Sequence, residues 1–219
     1  MTGPVLIHSA LALAVTAAAG TVPGQGKEKM SIDIARLSPN LEAEFMKWRT
    51  GEGDPAEWTV VADASAEGGR AIGQVSRDKT GYRFPLAIYK PFSGRDVEVS
   101  VRFKPVAGTV DQAGGIAVRL QTPDDYYVVR ANALEDNVRF YRVVNGKREQ
   151  LAGVDVKVAP TVWHSLALKA EGDHFSISYD GKTLFTAEDN TFAGPGKVAL
   201  WTKADSVTHF DTIAITPLD

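Results

Sequence analysis

The chain has 219 residues, enough for one large β domain or two small ones, and its 44% hydrophobic and 23% charged residues suit a protein with a real core. Its formal net charge of −3, with no long block of either sign, argues against the basic face that a nucleic-acid binder needs. There are no cysteines, which excludes disulfides, zinc–thiolate sites and thiol catalysis.

Residues 5–19 are mostly apolar and end in Ala17-Ala18-Ala19, a small-residue cleavage pattern. The run suits a signal-peptide core and is short of the roughly 20 apolar residues that a membrane span requires. Met1-Thr2-Gly3-Pro4 carries no Lys or Arg, so the usual positive start is missing, and a buried helix is the alternative reading. Residues 1–19 are therefore expected to be a signal peptide, and the mature chain to start near Gly20. The product is expected to be periplasmic or secreted, with no stable membrane span after signal cleavage. Residues 20–40 are polar, with Gly, Pro and Lys-Glu-Lys, and read as a linker. A short helix or turn is expected over 41–48, a loop over 49–57, and a single domain over 41–219.

From Trp58 onward the pattern changes to short apolar runs separated by turn residues. Strands are predicted at 58–62, 71–76, 83–89, 97–104, 115–121, 126–132, 138–144, 149–151, 163–170, 174–179, 183–188, 198–202 and 208–216. Val97, Val99, Val101 and Phe103 alternate with polar residues, the mark of a half-buried antiparallel strand. Asn145-Gly146 and Asp180-Gly181 each join two such runs and suit the positive φ angles of a type I′ hairpin. Glu171-Gly172-Asp173 reads as a third hairpin loop. Without crossover helices a parallel sheet is excluded, so the fold class is an all-β antiparallel sandwich or barrel.

Several stretches carry a family likeness. They are Gln112-Ala-Gly-Gly-Ile-Ala-Val-Arg119, Asp125-Tyr-Tyr-Val-Val-Arg-Ala-Asn-Ala-Leu134, Asn137-Val-Arg-Phe-Tyr-Arg-Val-Val-Asn-Gly146 and Tyr179-Asp-Gly-Lys-Thr-Leu-Phe185. The tail adds Gly196-Lys-Val-Ala-Leu-Trp-Thr-Lys203 and Phe210-Asp211. The succession resembles the concanavalin A-like jelly rolls of bacterial exported proteins, most nearly the 3-keto-disaccharide hydrolase domain family. Laminin-G-like domains and family 16 glycoside hydrolases are more distant in fold. The resemblance covers roughly residues 58–215 and implies an antiparallel concanavalin A-like jelly-roll β-sandwich.

The paired acids of family 16, Glu-x-Asp-x-x-Glu, are absent; Asp96-x-Glu98 comes nearest and reads as a solvated strand face. His8, His164, His174 and His209 lack metal-ligand spacing, and Gly114-Gly115 lacks the context of a phosphate loop. The resemblance directs attention instead to a concave sheet, where an indole stacks on a sugar ring and Arg, Asn and Lys bond its hydroxyls. Arg119, Tyr126, Arg130, Asn132, Trp201, Lys203 and Asp205 are the candidate ligand-binding residues. Arg119 and Arg130 are expected on neighbouring strands and on one face. The plainer readings stay open: cross-strand ion pairs for the arginines, core packing for Trp201. In related jelly rolls an acid on the last strand helps to hold calcium, which the resemblance assigns to Asp211, although Thr212 stands where many relatives have a second Asp. The favoured function is an exported carbohydrate-binding jelly roll that recognises a sugar on its concave sheet. The alternatives are a glycoside hydrolase or lyase of the 3-keto-disaccharide type and a laminin-G-like protein-interaction module.

Overall fold

Short β-branched runs with period-two burial dictate a sheet protein, and antiparallel strands numbered β1 to β15 along the chain make up nearly all of the regular structure. The computed structural model describes residues 28–218 together with Met1 and Gly3. The expected signal peptide and the first part of the expected linker lie outside the described residues, save for Met1 and Gly3. No helix among the described residues is long and apolar enough to cross a membrane.

Two sheets stack face to face as a jelly-roll sandwich. The first runs β13 (Lys182–Glu188), β12 (His174–Tyr179), β11 (His164–Glu171), β6 (Val97–Ala107), β15 (Val207–Pro217), β4 (Arg70–Gln74) and β3 (Trp58–Ala62). β1 (Met30–Ser31) also pairs with β15. The second runs β10 (Lys147–Asp155), β9 (Asn137–Val144), β8 (Asp125–Asn132), β7 (Ala113–Thr122), β14 (Gly196–Trp201), β5 (Arg83–Gly94) and β2 (Phe45–Gly51). All neighbouring pairs are antiparallel.

The core between the sheets follows the alternation of the sequence. Val97, Val99, Val101 and Phe103 of β6 are buried against Ile116, Val118, Tyr127, Val129 and Phe140 of the second sheet. Val198 and Leu200 of β14 join this core, so Trp201 points to the other face. Both predicted two-residue hairpins form, with φ of 49° and 73° at Asn145 and Gly146 and 46° and 76° at Asp180 and Gly181.

Three local expectations differ from the structure. Residues 41–48 hold no helix: a tight turn leads into β2, an edge strand with Phe45 in the core. The folded body starts before residue 41, because β1 pairs with β15 and Ile34 and Leu37 are buried around a single 3-10 turn, Ile34–Arg36. In β7, Arg119 adopts φ of 48° at a bulge where the pairing with both β8 and β14 shifts register. The bulge turns the side chain over, and Leu120 takes the outer face in its place.

Candidate functional site

The outer face of the second sheet is the expected concave surface, and one of its corners is closed. β2 and β10 are opposite edges of this sheet, yet the hydroxyl of Tyr82, just before β5, donates to the carbonyl of Gly146 in the β9–β10 turn at 2.5 Å. Thr50 of β2 donates to the carbonyl of Pro123 in the β7–β8 turn, also at 2.5 Å. The sheet has rolled until diagonally opposed corners touch, as strong right-handed twist allows.

Trp201 and Tyr126 are locked inside that roll. The indole is fully buried and stacks on Phe84 at 5.4 Å and 17°. Its Nε1–H donates to the Tyr126 hydroxyl at 3.3 Å, which lies 2.8 Å from Thr50 Oγ1, so a chain of hydrogen bonds crosses the roll to Pro123. The Arg148 guanidinium lies 5.0 Å from the Phe84 ring and 4.3 Å from the Tyr141 ring. Trp201 therefore occupies the expected face but is not available to stack on a sugar.

Burial pushes the Tyr126 phenol up from 10.0 to about 12. Tyr127, buried and bonded to Asp189 at 2.6 Å, is also pushed up to about 12. Between pH 10 and 12 the native phenols keep protons that the unfolded chain has lost. Stability should thus fall as pH rises through this window, by a few kcal/mol at most for each tyrosine. Denaturant titrations on either side of pH 10 measure the slope, and Tyr126→Phe should flatten it. An unchanged slope in that variant would contradict the assignment.

At the other end of β8 three of the predicted residues meet. Asn132 donates to buried Asp111 at 2.7 Å, and Lys203 forms an ion pair with the same carboxylate. Arg130 bonds Asn137, Glu135 at 2.7 Å and the Tyr141 hydroxyl at 3.1 Å. Its Nε is buried and has no partner among the described residues. Asn137 donates to Glu135 at 3.2 Å, closing the network. Burial raises the Asp111 pKa against the opposing pull of Lys203. Burial would raise Glu135 too, but the charge of Arg130 and the bonds from Asn137 and Arg130 hold it below the usual range. The Glu135 side chain is 42% exposed and that of Lys203 18%, so a carboxylate and an ammonium face solvent at one rim.

The other candidates serve different ends. Asp205 accepts the backbone N–H groups of Thr109 at 2.8 Å and of Val110 and Asp111 at 3.0 Å, which fixes the loop carrying Asp111. Burial works against its charged form, but these bonds hold its pKa low. Arg119 and Arg130 lie on paired strands, as expected, but on opposite faces. Arg119 reaches into the sandwich, donating to the carbonyls of Arg95 at 2.9 Å, Phe192 at 3.1 Å and Gly172 at 2.5 Å and pairing with Asp96.

Asp211 is buried on the first sheet, accepting the Glu67 N–H at 2.8 Å, with Arg102 Nε at 3.4 Å. A calcium ion does not fit these partners, since a guanidinium and a backbone N–H already face the carboxylate. No group of three or more His, Cys, Asp or Glu side chains able to hold a metal occurs among the described residues.

Asp111, Glu135, Asn137 and Tyr141 were not singled out by sequence: the first three sit in loops or at a strand end without a local motif, and Tyr141 lies mid-strand in β9. Trp48 is the exposed indole of this face, 51% accessible and in register with Leu86, which pairs in turn with Trp201. Its only sequence signal was that a strand, rather than a helix, would turn it outward.

No family model matches the sequence, and no curated protein matches it. Solved structures do share the fold. Carbohydrate binding module CBM66 from Bacillus subtilis is 21% identical, with a TM-score of 0.60 over 79% of this chain and 96% of that one. A Bacillus subtilis protein of unknown function with a galectin-like fold is 9% identical, with a TM-score of 0.57 over 80% and 89%. Domain 4 of AbnA, a GH43 extracellular arabinanase from Geobacillus stearothermophilus in complex with arabinotriose, is 15% identical, with a TM-score of 0.55 over 88% and 92%. At these identities the likeness is one of fold, a galectin-like jelly-roll sandwich of the kind found in carbohydrate-binding modules.

Proposed function

We propose that the protein binds a neutral, hydroxyl-rich saccharide at the rim formed by Lys203 and Glu135, with Trp48 as an outlying stacking platform. The observation that carries this reading is the balance of the rim. Two carboxylates face two cations, and each exposed tip is braced from behind, Lys203 by Asp111 and Glu135 by Arg130 and Asn137. Such a site offers paired donors and acceptors, which suit sugar hydroxyls, and no surplus charge for an ionic ligand. Trp48 lies two strands from β14, about 10 Å at ordinary strand spacing, within reach of a second sugar ring.

Lys203→Met and Glu135→Gln should each weaken saccharide binding about ten- to a hundredfold, as expected for one charge-assisted hydrogen bond. Trp48→Ala should do the same through lost stacking and leave the melting temperature nearly unchanged. Titration calorimetry with arabinotriose and a set of neutral oligosaccharides measures this. Retained affinity in both rim variants would refute the site.

An enzymatic reading draws on the same rim. Glu135 could act as a base and Lys203 could hold the oxygen of a 3-keto sugar, which is the chemistry that the resemblance implies. Release of a free monosaccharide from a 3-keto-disaccharide, lost in Glu135→Gln, would favour catalysis. Binding without turnover would favour a module.

A further inference from the structure

A second cluster lies on the opposite side of the molecule, on the outer face of the first sheet. In register, His209 of β15 pairs with Lys104 of β6, and Asp211 with Arg102, so these side chains are near neighbours on one face. Asp63 holds the imidazole: its Oδ2 lies 2.7 Å from His209 Nδ1 and also pairs with Lys104. Its Oδ1 accepts both the N–H and the hydroxyl of Ser65, at 3.1 and 2.7 Å. Burial alone would raise the Asp63 pKa, but these partners keep it well below the carboxylate range. An ionised Asp63 accepts from Nδ1–H, which leaves Nε2 as the lone-pair nitrogen of neutral His209. That nitrogen makes no hydrogen bond among the described residues. Gly73 sits opposite His209 on β4, where a side chain would crowd Val61 and press on the imidazole ring.

Arg102 is braced in a similar way and has donors to spare. Its guanidinium lies 5.0 Å from the Trp163 ring, with Lys104 at 5.1 Å from the same ring. Trp163 Nε1 donates to Ser65 at 3.0 Å, tying the indole to the Asp63 cluster. The nearest carboxylates to Arg102, Asp211 at 3.4 Å and Glu67 at 4.0 Å, balance its charge, yet Arg102 makes no hydrogen bond among the described residues. Glu67 accepts from Thr212 at 2.9 Å, and both residues line a cleft of about 370 Å³ that runs on toward Ser31 and Asp33. A cleft of this size is near the lower end of small-ligand sites.

Two buried acids thus each orient an outward group, one an acceptor and the other a fork of donors, beside an indole and an open cleft. We infer that this face is a second binding site, for a single neutral sugar ring or similar polyol, with a hydroxyl donating to His209 Nε2 and another accepting from Arg102. The pairing of charges argues against an anion, and mixed free donors and acceptors are what a polyol completes. The site does not depend on the rim described above. With both sites occupied, the protein would be bivalent and would hold a polysaccharide more tightly than either site alone.

Side-chain nitrogen NMR of the histidines in the full chain tests this. D-glucose, D-galactose, L-arabinose and D-fructose are each titrated through the millimolar range. The His209 Nε2 signal should move saturably with at least one sugar, both in the native protein and in Lys203→Met, and stay fixed in Arg102→Met, which a cooperative unfolding transition must show to be folded under the titration conditions. A signal that none of the four sugars moves overturns the proposal, as does a response that survives Arg102→Met. A response abolished by Lys203→Met also overturns it, because His209 would then be reporting the rim. If Lys203→Met leaves all saccharide binding intact while His209 still responds, the rim reading fails and this one stands.

Discussion

Trp201→Ala should lower the stability of the fold by roughly 3–5 kcal/mol and its melting temperature by roughly 6–20 °C. The indole has no exposed surface and fills the closed corner against Phe84, so truncation leaves a cavity where rolled strands cannot simply collapse. It also removes the donor that holds the Tyr126 hydroxyl. Trp201→Phe loses that bond and leaves a smaller cavity, and should cost clearly less, roughly 1–2 kcal/mol. Calorimetric unfolding of the two variants measures both terms. A loss well under 1 kcal/mol in the alanine variant would mean that the indole does not support the corner.

Arg119→Met is expected to be comparably severe, at roughly 3–5 kcal/mol, the usual result of removing one partner from a buried ionic network. The guanidinium satisfies three carbonyls from three separate segments, those of Arg95, Gly172 and Phe192, and lies 5.3 Å from the Phe175 ring. Methionine matches the length of the stem but offers no donors, which leaves those carbonyls and Asp96 short of partners in the sandwich. Arg119→Lys restores the charge without the planar fork and should recover only part of the loss. Urea unfolding reads this directly. A lysine variant as stable as the native protein would show that charge, not the fork, is what the site requires.

The architecture was legible because its signals are local. The Val97–Phe103 alternation and the two Asn-Gly and Asp-Gly turns act over a few residues, and each appears where it was read. β2 was missed because Phe45, Met46 and Trp48 place apolar groups on both faces of an edge strand, so period two is blurred. Within the candidate set, Asn132 and Lys203 do converge, but on Asp111, and Arg130 beside them bonds Glu135; both acids lie in loops and carry no motif. Arg119 escaped because one residue in a left-handed conformation reverses a whole side chain, and nothing in Val-Arg-Leu announces the bulge. The burial of Trp201 was hidden for a different reason. Alternation gave its face, but whether that face is open depends on contacts between Thr50 and Pro123 and between Tyr82 and Gly146, which no short window contains.

Those same contacts bear on how the chain comes to be folded. Joining Thr50 to Pro123 spans 73 positions and Tyr82 to Gly146 spans 64, and neither pair can meet before the strands between them have assembled and twisted. Non-local closures of this sort are slow, since the loop entropy is lost before any contact rewards it. The corner can therefore close only after the strand pairings it spans, and the indole of Trp201 is covered only once it has closed. A chain interrupted before this point would display Phe84, Tyr126 and Trp201 together on an unrolled sheet, an apolar surface that the completed molecule conceals.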